Sequence, residues 1–159
     1  MRIRRAGPED AGAICAVANP FVHDTLVTFT TEERVPGAVA KALESGATIC
    51  LLAEEEDEVI GFASFSGFRN GPGYAATKEH TILLSPRGRR RGIGRALMTA
   101  LEDEARRAGV HVLVAGISSA NPDGIAFHRA LGFREVGRMP QVGRKFGQWL
   151  DLVLMQKIL

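Results

Sequence analysis

The sequence predicts a mixed α/β (α+β) domain, with a mostly antiparallel central sheet, one parallel βαβ crossover in its middle, and flanking helices. Three features carry this reading. The run TICLLAEEEDEVIGFASFSGF (48–68) is apolar, then acidic, then apolar again, which is a hairpin signal. KEHTILL (78–84), the amphipathic stretch from Gly92 to Ala108 and the nearly all-apolar VHVLVAGI (110–117) read as strand, helix and a strand covered on both faces. That order is a βαβ unit, and its crossover should be right-handed. The chain has 159 residues without low-complexity linker or internal repeat, so residues 1–159 are expected to form one domain.

The elements follow in order. Ile3 to Arg5 is a short strand. Gly7-Pro8-Glu9-Asp10 opens a helix, with Pro at its first position and acids in its first turn. This helix is expected to run to about Asn19 and to end at Pro20, leaving FVHDTLVTFTTEE (21–33) as a covering loop. A second helix runs from about Pro36 to Ser45, with Gly46 beyond its C-terminus. Between Gly92 and Ala108, Ile93, Leu97, Leu101 and Ala105 share one face. Glu102 with Arg106 and Asp103 with Arg107 are i,i+4 pairs on the opposite face, and Gly109 closes the helix. Asn121-Pro122-Asp123 starts a short helix to about Leu131, stopped by Gly132. Strands near Phe133 to Met139 and Phe146 to Gln156 complete the sheet.

Composition narrows the function. Twenty basic against 18 acidic side chains give a net charge of only +2, which argues against a polycation that coats nucleic acid or an anionic membrane. Cys15 and Cys50 lie in apolar contexts without metal-type spacing, so they read as buried thiols in a reducing compartment, with no metal site. MRIRRAGPED has no apolar h-region, and no apolar run approaches the roughly 20 residues of a membrane span. A cytoplasmic location follows as an expectation.

The basic excess is local. PRGRRRGIGRALMTALE (86–102) crowds Arg87, Arg89, Arg90, Arg91 and Arg95 at the positive end of a helix dipole, and the first acid of the helix is Glu102. Each such cation costs tenths of a kcal/mol, at about 0.3–1 kcal/mol for a matched charge, unless an anion sits there. Gly92 and Gly94 let the backbone approach a phosphate closely. GxxxxGK[ST] is absent, and GxGxxG fails because Leu97 occupies the third glycine position. A phosphate cradle, a solvated basic turn and a nucleic-acid patch all remain open, although the last would be expected to carry interleaved aromatics.

ILLSPRGRRRGIGRAL (82–97) resembles the pyrophosphate-binding signature of the GNAT superfamily of acyl-CoA-dependent N-acyltransferases, with Arg89, Gly92 and Gly94 in its fixed places. NPDGIAFHRALGF (121–133) is similar to the second signature of that superfamily. Within it the chain resembles the phosphinothricin acetyltransferase family over nearly its whole length, through Asn19, Thr25, TFTTEE (28–33), GFASFSGFR (61–69), Tyr74, Glu79-His80, VAGI (114–117) and KFGQWLDLV (145–153). Gly71 and Arg144 depart from the family pattern, which leaves the substrate's identity open.

The resemblance implies a GNAT fold, acetyl-CoA as acyl donor, a small amine or amino acid as acceptor, and a homodimer with no nucleic-acid or membrane partner. It assigns the donor to Leu83, Leu84, Ser85, Arg89, Arg90, Arg91, Gly92, Ile93, Gly94 and Arg95, with Asn121 on the pantetheine arm and the Leu84 N–H on the thioester oxygen. An acceptor amine with a pKa near 10.4 must lose a proton before it attacks. The resemblance makes Glu79 the general base, whereas residue chemistry alone would also allow a strand carboxylate paired to Lys78 or an arginine. His128 stands where many members carry a Tyr that protonates the leaving thiolate; a histidine capping an apolar helix face is the alternative. Thr81 shares the face of Glu79. Arg69 and Tyr74 are candidates for the acceptor carboxylate, and Phe29 and Trp149 for the pocket wall. Without a Ser-His-Asp or Cys-His set, direct attack in a ternary complex is expected. Phosphinothricin, methionine sulfoximine or methionine sulfone would suit such a site. A protein N-terminus, a polyamine, or a non-catalytic CoA- or nucleic-acid-binding module are the alternatives.

Overall fold

Alternation along β2 (Ile49–Glu55) and β3 (Glu58–Gly67) builds two cores on opposite faces of one sheet. Leu51, Ala53 and Ala63 pack against Ile93, Leu97, Met98 and Leu101 of α3 (Ile93–Arg107). Cys50, Leu52 and Phe62 pack against Ile14, Val17, Ala18 and Phe21 of α1 (Ala11–Asp24). Covered on both faces, these strands read as unbroken apolar runs. The computed structural model describes residues 1–159. Its remaining elements are β1 (Arg2–Arg5), α2 (Pro36–Glu44), β4 (Thr77–Leu84), β5 (Val112–Ser118), α4 (Pro122–Ala130), β6 (Arg134–Lys145) and β7 (Gln148–Ile158). The sheet order is β1-β2-β3-β4-β5-β7-β6, and only β4 with β5 is parallel. No helix is long and apolar enough to cross a membrane.

Four expectations need correction. α1 does not stop at Pro20 but continues to Asp24. The proline removes one N–H, and burial of Phe21 and Val22 in the turn that follows holds the helix across it. Glu102 is not on the solvent face: it is 7% exposed and accepts from Lys157 Nζ at 2.8 and 2.9 Å, tying α3 to β7. Asp103 pairs with Arg106 at 3.1 Å instead of with Arg107. Finally, β6 runs six residues beyond Met139, to Lys145, because register shifts near Gly137 and Gly143 let it keep pairing with β7.

One feature of the sheet positions the site. Parallel pairing of β4 with β5 ends at Glu79 opposite Val114, so from His80 onward the two strands splay apart. Ser85 N donates to Ile60 O at 2.9 Å on the β3 side. By alternation, the N–H groups of Leu84 and Ile82 face the splay, with no strand opposite them. The resemblance placed the opening at Leu84, and it begins four residues earlier, at His80.

Candidate active site

Two clefts meet at this splay. One, of about 500 Å³, lies between the 25–34 loop and the β4–β5 floor, and the other, of about 720 Å³, reaches the N-terminus of α3. Both are bordered by Val27, Ile82, Leu83, Asn121 and His128, which marks the junction.

The larger cleft has the features of an anion site. Gly92 takes a left-handed conformation (φ 77°) that an L side chain rarely adopts, and it turns the chain into α3. The first N–H groups of that helix have no intrahelical acceptor. Gly94 serves packing instead: a Cβ there would stand 3.2 Å from Phe127 and 3.3 Å from Leu84, so its absence lets α3 approach α4. Arg89, Arg90 and Arg95 line the cleft, none with an ion-pair partner, and Arg89 lies over the Phe21 ring at 5.5 Å.

Not every arginine of the run belongs here. Arg91 forks Glu55 at 2.7 and 2.8 Å, and Arg87 pairs with Glu56 and Glu58. The acidic hairpin turn therefore offsets two of the five cations, and the Arg91 side chain does not border the larger cleft. Ser85 faces another groove, and the Ile93 side chain is buried in the core, so only the backbone of Ile93 remains available there. Asn121 caps α4 by accepting from Gly124 N at 2.9 Å. It also lines both clefts.

In the smaller cleft, Glu79 makes no ion pair with Lys78 or any arginine. Partial burial raises its pKa above the ordinary carboxylate value. Its Oε1 sits 3.1 Å from the point a Cβ on Gly116 would occupy, so the glycine leaves room for the carboxylate. Phe29 and Thr81 line the same cleft. Lys145, 2% exposed, holds the loop above it by donating to Phe21 O at 3.3 Å, Thr28 O at 2.9 Å and Thr28 Oγ1 at 3.2 Å.

Other expected residues stand elsewhere. Arg69 stacks over Tyr74 at 5.5 Å beyond the end of β3, and neither borders the clefts. Trp149, 58% exposed under Arg144 at 4.5 Å, borders neither cleft. His128 lines the junction, but both ring nitrogens are engaged: Nδ1 with Gly124 O at 2.7 Å and Nε2 with His80 Nε2 at 2.9 Å. Neither ring nitrogen is left without a partner in this arrangement.

His80, Gly116 and Arg34 were not singled out as site residues from the sequence. VAGI and Glu79-His80 were noted as segments, and alternation along the strands could have placed His80 and Gly116. Nothing local pointed to Arg34.

Residues 19–133 match the family model described as acetyltransferase (GNAT) family. The chain is 42% identical to a Salmonella typhimurium L-methionine sulfoximine/L-methionine sulfone acetyltransferase, over 98% of this chain and 93% of that one. Its fold matches a ribosomal-protein-alanine N-acetyltransferase from Brucella melitensis with a TM-score of 0.93 at 40% identity, over all of both chains. It also matches a phosphinothricin acetyltransferase from Sinorhizobium meliloti in complex with acetyl-CoA, with a TM-score of 0.91 at 34% identity, over 99% of this chain and 88% of that one.

Proposed function

The chain belongs to the acetyltransferase (GNAT) family and is an N-acetyltransferase that uses acetyl-CoA as acyl donor; we propose that its acceptor is the α-amine of a small amino acid of the methionine sulfone, methionine sulfoximine or phosphinothricin type. The observation that carries this reading is an acid without a protein partner, Glu79, facing a closed-over cleft beside the strand splay.

The donor's diphosphate is assigned to the N–H groups at the start of α3, with Arg89, Arg90 and Arg95 supplying charge. Asn121 borders the path of the pantetheine arm. The Leu84 N–H, aimed into the splay, is the donor for the oxygen on which charge develops. Glu79 takes the proton of the acceptor ammonium, directly or through one water, and the freed amine attacks the thioester carbon. The adduct nitrogen gives up its second proton to solvent or to the departing sulfur, the C–S bond breaks and the electron pair leaves on sulfur. With a thiol pKa near 8.5, a thiolate leaves without help from a ring proton of His128. His128 and His80 instead fix the wall at the sulfur end.

A homodimer fits the apolar β6–β7 hairpin, where Val136, Met139, Val142, Phe146 and Trp149 are exposed. Two buried thiols fit a reducing compartment such as the cytoplasm.

The likeness to the Brucella protein favours a peptide N-terminus as a second reading. Thiol release from acetyl-CoA separates the two. Methionine sulfone, methionine sulfoximine and phosphinothricin are expected to be turned over, and an alanine-starting peptide is not. Turnover of the peptide alone would overturn the proposal.

A further inference from the structure

We propose that Arg34 is the residue that binds the acceptor's α-carboxylate, a role that rests on the amino-acid acetyltransferase reading above. Arg34 is the only lysine or arginine bordering the smaller cleft, and Glu79 its only carboxylate. A free amino acid carries one charge of each sign on adjacent groups. A cleft with one acid and one permanent cation is matched to that zwitterion.

The position of Arg34 is fixed while its charge is left free. Asn19 clamps its peptide on both sides: Oδ1 accepts from Arg34 N at 2.9 Å, and Nδ2 donates to Arg34 O at 3.2 Å. The guanidinium lies over the Phe62 ring, 5.6 Å from its centroid. Stacking of this kind holds the plane and leaves the N–H edge to fork a carboxylate. No protein group uses that edge. The groove on the other side of Arg34 offers Glu33, but Glu33 is bonded to His23 Nε2 at 2.5 Å. The two histidines of the cleft compete for no anion, because burial lowers the pKa of both and keeps them neutral. Arg69, the alternative from sequence, is stacked on Tyr74 away from the cleft.

Calorimetric binding of methionine sulfone to the CoA-saturated protein tests this without relying on turnover. The comparison ligand is the carboxamide of methionine sulfone, which keeps the amine and side chain but loses the anion. Arg34→Met is expected to bind methionine sulfone at least tenfold more weakly than the parent, with carboxamide binding unchanged. Arg34→Lys, which keeps the charge but loses the fork, should recover part of the loss. Equal affinity of parent and Arg34→Met for methionine sulfone, or equal losses for both ligands, would overturn the assignment. A thermal melt and an acetyl-CoA titration of Arg34→Met, both expected to match the parent, exclude misfolding as the cause. Absence of thiol release with any amino acid is a different failure: it removes the catalytic reading, while the binding difference still decides the role of Arg34.

Discussion

His80 Nε2 lies 2.9 Å from His128 Nε2, with both rings buried. The proton count follows from the other end of the contact. Gly124 O can only accept, so His128 Nδ1 carries the hydrogen, and a neutral His128 then presents a lone pair at Nε2. His80 must donate there, and its Nδ1, which lies beside the backbone of Val114, makes no well-formed hydrogen bond. Both rings are held neutral by burial, which drives the pKa of His80 down to about 3. A histidine whose pKa is lowered by folding contributes stability that is present above 6.5 and is lost as pH falls from there towards the folded value. The melting temperature is therefore expected to drop between pH 7 and pH 5, and to drop less in His80→Gln. Equal slopes for the two proteins would show that the pair is not the source.

His128→Ala should lower stability more than rate. It leaves the donor of His80 unsatisfied, at a cost of about 1–3 kcal/mol in a denaturant melt. Turnover at saturating substrates should fall by less than tenfold. A loss in kcat of a hundredfold or more, without destabilisation, would restore a proton-donating role.

Gly116→Ala should act on catalysis through Glu79. The new methyl group would stand 3.1 Å from Oε1 and 3.4 Å from Leu152 Cδ1, so the carboxylate must move. A contact this close calls for a shift of a few tenths of an ångström, and a displacement of about 1 Å can already cost 10²-fold. Steady-state kinetics should show kcat down by about three- to tenfold, with the affinity for acetyl-CoA unchanged. An unaltered kcat would mean that the position of Glu79 does not matter.

The arginine run should divide in two. Arg95→Ala removes a cation of the donor cleft and is expected to raise the KM for acetyl-CoA about tenfold or more, since a charge-assisted hydrogen bond is worth about 1.5–3 kcal/mol. Arg91→Ala breaks only an exposed pair with Glu55, so the KM should stay within about twofold. Equal effects from both would return Arg91 to the site.

That division marks where the sequence was legible. The glycines, the helix start and the uncompensated charge were all local, so the anion site could be read from one stretch. Which arginines belong to it depends on a hairpin turn more than 30 residues away, and no local pattern reports that Glu55 meets Arg91. Pro20 misled for the same reason: the burial of Phe21 and Val22 against the sheet outweighed a local breaker. Glu79 was legible through strand alternation and the family motifs, whereas Arg34 depends on the clamp from Asn19 across a loop. Arg69 and Tyr74, adjacent in sequence pattern, find each other and not the cleft.

The most direct test of the account is the turnover of Glu79→Gln. The raised pKa of Glu79 means that folding penalises its ionised form, so its stability contribution fades as pH rises through the folded value. Neutralising it is expected to leave the melting temperature at pH 7 unchanged or higher. With methionine sulfone and acetyl-CoA, thiol release should fall by 10²- to 10⁴-fold, the range typical of a general base, while acetyl-CoA binding persists. A variant that folds, binds the donor and matches the parent's kcat would contradict the account.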